Sequence, residues 1–286
     1  MHVPVMLAES LEFLAVRPDG IYLDATAGLG GHTGAIARRL TTGLVIASDR
    51  DPESLALAKR NTADVAERIR WLSAKFSELE PELLRTGFSK LDGLLADLGV
   101  SRHQLTDPER GFSLQADGPL DMRMDRSQPE TAADLVNFTA EKALADLIYR
   151  LGEERRSRKI ARAIVRARPI QGTLHLAKVI EQAAPRTSRL HPATQTFMAL
   201  RMAVNQEQEE LDALLDSIPR LVKSGGRVVA ITFMSLEDRR VKRSFQAFAR
   251  DGRATLVTRH VVRPTEAEVR ENPPSRSAKL RVLEMR

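Results

Sequence analysis

The sequence contains no cysteine, one tryptophan and two tyrosines in 286 residues. Without thiols, a disulfide framework and a thiolate metal site are both excluded, and a reducing, cytoplasmic setting is expected. Aromatic residues make up only 4%, too few for a platform on which an extended single strand would stack. No apolar run approaches the roughly 20 residues of a membrane-spanning helix. Residues 1–10 lack the charged-then-apolar pattern of a secretory leader. No membrane partner is therefore expected. Absence of a Gly-x-x-x-x-Gly-Lys-Ser/Thr element removes a P-loop nucleotidase, and nothing in the residue pattern calls for a metal.

What is present is a foldable, mildly basic chain. Hydrophobic residues total 42% and charged residues 29%, enough to bury a core. Lysine and arginine outnumber acids 44 to 38. That excess points to a polyanion partner only if it is clustered.

Helix and strand signals alternate from the start. Leu7, Leu11 and Leu14 recur at helical spacing, and 21–25, 44–47, 69–72 and 91–96 are short apolar runs that read as strands. Asp51-Pro52 opens a helix with an N-cap and a proline at its first position. Such alternation predicts an α/β fold, a parallel Rossmann-like sheet with helices on both faces. The rhythm then breaks. The next strong strand, 227–233, follows only after about 130 residues, far beyond an ordinary connection. The gap shows i, i+3/i+4 apolar spacing over 139–151, 153–167, 174–183 and 194–215. An all-helical domain is thus expected at 106–193, inserted into a sheet domain made of 1–105 and 194–286. A helix at 241–248 and strands at 254–262 and 278–285 close the chain.

A glycine cluster follows the first strand: Asp24-Ala25-Thr26-Ala27-Gly28-Leu29-Gly30-Gly31-His32. Glycine permits a tight turn and close approach of backbone to ligand. Eighteen residues after Gly31, at the tip of the second strand, stands Asp49, where an acid grips a ribose diol. Glycines of this kind also occur in turns for geometry alone; the acid and the strand–helix context together favour a nucleotide-type ligand. A dinucleotide would need a third glycine where Thr33 stands. Asp24 beside the loop would repel pyrophosphate but could hold an ammonium group, which favours S-adenosylmethionine. Asp97 ends the fourth strand, at the edge of the sheet where ligands bind. As a hydrogen-bond acceptor aimed at an exocyclic amine it would serve methyl transfer to a base, although a turn or cap role is equally open from sequence. Asn272-Pro273-Pro274-Ser275 lies before the last strand and reads as a turn.

The basic charge is clustered. Arg155, Arg158, Lys159, Arg162 and Arg166 repeat at helical spacing, with Ile160 and Ile164 on another face. Further clusters are Arg239-Arg240-Val241-Lys242-Arg243 and Arg276, Lys279 and Arg281. Each could be a solvated surface; three of them beside a nucleotide-type pocket favour contacts to phosphates of RNA.

Many segments together resemble the bacterial 16S rRNA (cytosine-N4)-methyltransferase family (RsmH/MraW). They include His2-Val3-Pro4-Val5, Gly30-Gly31-His32, Asp49-Arg50-Asp51-Pro52, Phe76-Ser77-Glu78-Leu79 and Asp97-Leu98-Gly99-Val100-Ser101. Next come Arg110-Gly111-Phe112-Ser113, the run Gly118 to Asp125, Gly152-Glu153-Glu154, His191-Pro192-Ala193-Thr194, Ser235-Leu236-Glu237-Asp238-Arg239 and Arg276-Ser277-Ala278-Lys279-Leu280-Arg281. The resemblance spans nearly the whole chain. It implies methylation of N4 of cytosine 1402 of 16S rRNA within the small ribosomal subunit. It also implies cofactor contacts from Gly30, Gly31, His32, Asp49, Phe76, Asp97 and Gln104, with Phe76 near the adenine. The chain departs from the family pattern at Arg102, His103, Thr106, Gln195, Met234 and Pro274, which the resemblance puts around RNA-facing loops. Two other readings share the sequence: methylation of a different acceptor, and a non-catalytic RNA-binding assembly factor.

Overall fold

A computed structural model describes residues 4–185 and 191–286, so His2 and Val3 lie outside the described residues. The chain forms two compact units, Met1–Gly99 with Gln208–Arg286, and Val100–Glu207.

In the first unit the chain runs α1 (Leu7–Leu14), β1 (Ile21–Asp24), α2 (Gly31–Ala37), β2 (Leu44–Asp49), α3 (Pro52–Asn61), β3 (Ile69–Ser73), α4 (Phe76–Arg85) and β4 (Leu91–Asp97). After the second unit, which holds α5 (Arg102–Thr106), α6 (Ala132–Phe138), α7 (Glu141–Gly152), α8 (Ser157–Arg166), α9 (Thr173–Ala183) and α10 (Thr194–Val204), it returns. There follow α11 (Glu207–Leu221), β5 (Val222–Thr232), α12 (Ser235–Arg250), β6 (Ala254–Leu256), α13 (Glu266–Glu271) and β7 (Lys279–Met285).

The sheet order is β3-β2-β1-β4-β5-β7-β6. β1 to β5 are parallel, and β7 is antiparallel to both neighbours. This is the expected Rossmann-like sheet. Side chains alternate across it as the pleat requires. Leu23, Ile46, Leu94 and Val228 face a core shared with α4, α11 and α12. Tyr22, Val45, Leu95 and Val229 face a core shared with α1, α2 and α3. Strand order reverses between β1 and β4, so the crevice for a ligand opens at the carboxyl ends of those two strands. The closing pair of strands is shorter than expected. β6 ends at Leu256, α13 intervenes, and Val262 touches β7 only through an isolated bridge to Leu280.

The helical unit begins earlier and ends later than the expected 106–193. The helix at Thr194, expected to belong to the sheet domain, instead buries Phe197, Leu200 and Val204 with Leu144, Ile148, Ile160, Ile164 and Ile180. Nor does that helix continue to residue 215. Gln206 is left-handed (φ 50°), and the buried Asn205 amide donates to the Met122 carbonyl (2.7 Å) and accepts from Met124 N–H (2.8 Å). The fully buried Arg110 guanidinium donates to the carbonyls of Arg123 and Met124 (3.0 and 2.9 Å). Two of the sequence motifs are thereby tied together. Gly111 (φ +72°) belongs to the same knot: a Cβ there would lie 2.1 Å from the Pro119 carbonyl.

Candidate functional site

Three aspartates end three adjacent strands. The β1–β4 pairing places Asp24 opposite Leu95, two residues from Asp97, and the β1–β2 pairing sets Asp24 opposite Ala47, two residues from Asp49. The glycine loop is stitched across these ends. Gly28 N–H donates to Asp49 Oδ2 (2.8 Å) and Asp51 N–H to Asp49 Oδ1 (2.9 Å). Thr33 Oγ1 and Thr26 N–H donate to Asp24 (2.6 and 3.2 Å), and Asp97 N–H donates to Thr26 Oγ1 (2.6 Å). Thr26 and Thr33 thus fix two of the three acids, a role that no local pattern assigns to them.

The glycines divide their work. At Gly28 (φ +51°) a Cβ would meet only the Thr26 carbonyl, at 3.8 Å, so there is room for it. Gly30 (φ +86°) and Gly31 are packed: a Cβ would meet Ala58 and Thr62 at the first and lie 2.3 Å from Pro4 at the second. His32 follows in the first turn of α2 and is buried. Its Nε2 lies 3.1 Å from the Val5 carbonyl, which can only accept, so that nitrogen carries a proton. Its Nδ1 lies 3.8 Å from Asp97 Oδ2.

Burial lifts all three acids. Asp24 is raised to about 6, chiefly by desolvation, against which its bonds to Thr33 and Thr26 work. Asp49 is also raised to about 6 by burial, with Asp51 and Asp24 adding repulsion. Asp97 is raised well above the usual carboxylate range by burial and then by Asp24 and Glu237. Its side chain is 23% exposed overall, yet Oδ1 is shut from solvent and has no hydrogen-bond partner among the described residues. No lysine or arginine among the described residues pairs with any of the three acids. Glu237 was not singled out in the sequence; its carboxylate accepts from Phe233 and Met234 N–H (3.2 Å each) and fixes the turn beyond β5.

Phe76 is the first residue of α4, half-buried just past the end of β3. Glu210 of α11 caps this helix, accepting from Ser77 N–H (2.9 Å) and Ser77 Oγ (3.0 Å). Glu210 too went unnoticed in the sequence, because nothing local links it to Ser77. Gln104 lies in the helical unit, where its Oε1 accepts from Ser101 N–H (2.9 Å) and its own N–H donates to Ser101 Oγ (3.2 Å), a capping box at the start of α5.

The basic clusters differ from one another. Arg158, Lys159, Arg162 and Arg166 are exposed on α8. Arg155 is exposed as well but precedes the helix, which starts only at Ser157. Glu153 is left-handed (φ 53°), and buried Glu154 accepts from Arg156 N–H (2.8 Å), so the chain turns where a continuous helix was expected. In the third cluster, Arg281 Nε and Lys279 Nζ pair with Asp238 (2.7 and 3.8 Å) and are largely buried. These two cations serve the sheet edge and are not offered to a polyanion. Arg240 of the second cluster pairs with Asp212 and with Gln208 (2.7 Å to the amide).

The arrangement can do one thing well. Three adjacent acids with no lysine or arginine partner, beside a loop whose Gly28 leaves room for close approach, fit a cationic, nucleotide-like ligand such as S-adenosylmethionine. Among the described residues no group of three metal-ligating side chains gathers, and no helix is long and apolar enough to cross a membrane.

Relatives match nearly the whole of this chain. The chain is 63% identical over 286 residues, all of both chains, to ribosomal RNA small subunit methyltransferase H of Solibacter usitatus (strain Ellin6076). It is 52% identical over 293 residues to the protein of the same name from Acidobacterium capsulatum, covering 99% of this chain and 98% of the other. With the Gloeobacter violaceus protein of that name it shares 47% over 283 residues, 99% of this chain and 87% of the other. The sequence profile of the MraW methylase family matches residues 1–286 without a gap at either end, and the chain belongs to that family, whose methyl donor is S-adenosylmethionine.

Proposed function

We propose that this protein methylates N4 of cytosine 1402 in 16S rRNA, acting on the small ribosomal subunit in the bacterial cytoplasm. The names of its relatives, ribosomal RNA small subunit methyltransferases, support small-subunit rRNA as the substrate. The single observation that carries the chemistry is the partly exposed Asp97 carboxylate at the carboxyl end of β4, with no lysine or arginine partner among the described residues.

S-adenosylmethionine supplies an electrophilic methyl group on a sulfonium. Asp49 would accept from the ribose hydroxyls, using the lone pairs left after its bonds to Gly28 and Asp51. Phe76 would pack near the adenine. Asp24 and Asp97 would add negative charge on the sulfonium and ammonium side. The exocyclic amine of cytosine is a poor nucleophile, because its lone pair is delocalised into the ring. The Asp97 carboxylate would accept an N–H from that amine and favour its lone pair on nitrogen during methyl transfer. The proton released passes to Asp97, whose raised pKa suits it to hold one. His32, with Nε2–H tied to Val5, stands beside that carboxylate, its Nδ1 3.8 Å from Oδ2.

The test is transfer of labelled methyl to small subunits from cells lacking the modification, followed by mass mapping of the nucleotide. One methyl on N4 of a single cytidine is expected. Asp97→Asn should lose at least about a hundredfold in turnover while still binding the donor. Label on a different base or on protein would replace the substrate assignment, and turnover within tenfold of wild type would remove Asp97 from the chemistry.

A further inference from the structure

The chain has few aromatic rings, and one of them is left bare. Phe138, the last residue of α6, is 82% exposed, more than any other large hydrophobic side chain among the described residues. Its backbone is clamped on both sides. The Asn137 amide exchanges two hydrogen bonds with Ile170, donating to its carbonyl (3.1 Å) and accepting its N–H (2.8 Å). Arg168 donates to the carbonyls of Val136 (2.7 Å) and Thr139 (2.5 Å), the residues before and after this pair. Leu135 and Val136 anchor the same turn in the helical core. A ring on a floppy loop would fold back onto apolar surface; this one is held out in water by four hydrogen bonds.

Its surroundings specify the charge of a partner. Arg168 lies two residues beyond α8, and Arg162 of α8 reaches Glu141, three residues past Phe138 (3.4 Å). Phe138 therefore lies near the C-terminal half of α8, the helix that exposes Arg158, Lys159, Arg162 and Arg166. A flat apolar face beside a row of cations matches an unstacked nucleobase whose flanking phosphates lie on the arginines. A protein partner of apolar character would not need the cations, and a second copy of this chain would set like charges against each other.

We propose that Phe138 is a stacking anchor for a single unpaired base of the RNA substrate, with Arg162 and Arg166 holding the adjacent phosphates. This rests on the RNA-methylating function proposed above. It also refines the sequence reading, which expected no platform for an extended strand: a single ring would serve a single base.

The test uses the full-length protein and unmodified small subunits. Phe138→Ala should weaken subunit binding and raise KM for subunits by about tenfold, leaving kcat at saturation, S-adenosylmethionine affinity and the melting temperature unchanged. Phe138→Trp should restore binding. A photo-crosslinking phenylalanine at position 138 should capture RNA. Binding and KM within twofold of wild type in Phe138→Ala overturn the proposal, as does crosslinking to a ribosomal protein or to a second copy of the chain. Wild-type methyl transfer separates the two claims: if wild type modifies subunits and Phe138→Ala matches it, only the anchor fails. If wild type neither binds nor modifies them, the function itself fails, and the anchor with it.

Discussion

Acidification should weaken donor binding by an amount the three strand-end acids set. Asp24 and Asp49 are both raised to about 6 in the free protein. A sulfonium nearby favours their ionised forms and so lowers both values in the complex. The sign follows: affinity is full above about pH 6 and falls as pH drops through it, because protons then compete with the ligand. From pH 7 to pH 5, one such carboxylate weakens Kd about tenfold, or about 1.4 kcal/mol; two acting together weaken it about a hundredfold. Titration calorimetry from pH 5 to 8 measures this directly. Asp49→Asn should remove about one factor of ten from the ratio. S-adenosylhomocysteine, which lacks the sulfonium charge, should show a shallower dependence. Asp97, also raised well above the usual carboxylate range by burial, should add proton release on donor binding, visible as a buffer-dependent heat. The free protein should respond in the opposite sense, since raised carboxylates make the fold more stable as pH falls from 7 toward 5. A Kd that stays flat between pH 5 and 8, with heats independent of buffer, would refute the electrostatic account of the site.

Two other perturbations probe the helical unit. Asn205→Ala strands the Met124 N–H and the Met122 carbonyl in a buried setting and should destabilise by about 2–4 kcal/mol, seen as a lower denaturant midpoint. Reversing Arg158, Arg162 and Arg166 to Glu should leave donor affinity intact while the logarithmic salt slope of RNA binding drops by up to about 2; an unchanged slope would show that α8 does not face phosphate.

How much of this was written locally in the chain differs from residue to residue. The parallel sheet was legible because each strand is a short apolar run, and its helices carry their own caps, as Asp51 does by accepting from Glu53 N–H (3.0 Å). Asp24, Asp49 and Asp97 were legible because strand ends and ligand crevices coincide in this topology. The break after α10 was not. Asn205 and Gln206 sit inside an unbroken helical periodicity, and what stops the helix is the distant backbone at 122–124. Glu210 reaches Ser77 from far along the chain, and Asp238 neutralises Lys279 and Arg281 in the same way. Composition counts charges but does not see which are already matched. Arg155 was misplaced on a helix because Glu153 takes a left-handed turn that a glutamate rarely adopts.

The central pairing of β4 with β5 carries a consequence for biosynthesis. β4 ends at Asp97, and the register with β5 is set from Arg227 onward, so a ribosome adding roughly 5–20 residues per second leaves Leu91–Asp97 with one open hydrogen-bonding edge for several seconds or more. That edge is apolar and therefore sticky. Because residues 100–207 close around a core of their own, the nascent chain has a way to compact the excursion before its second half arrives, shortening the search that β5 must make.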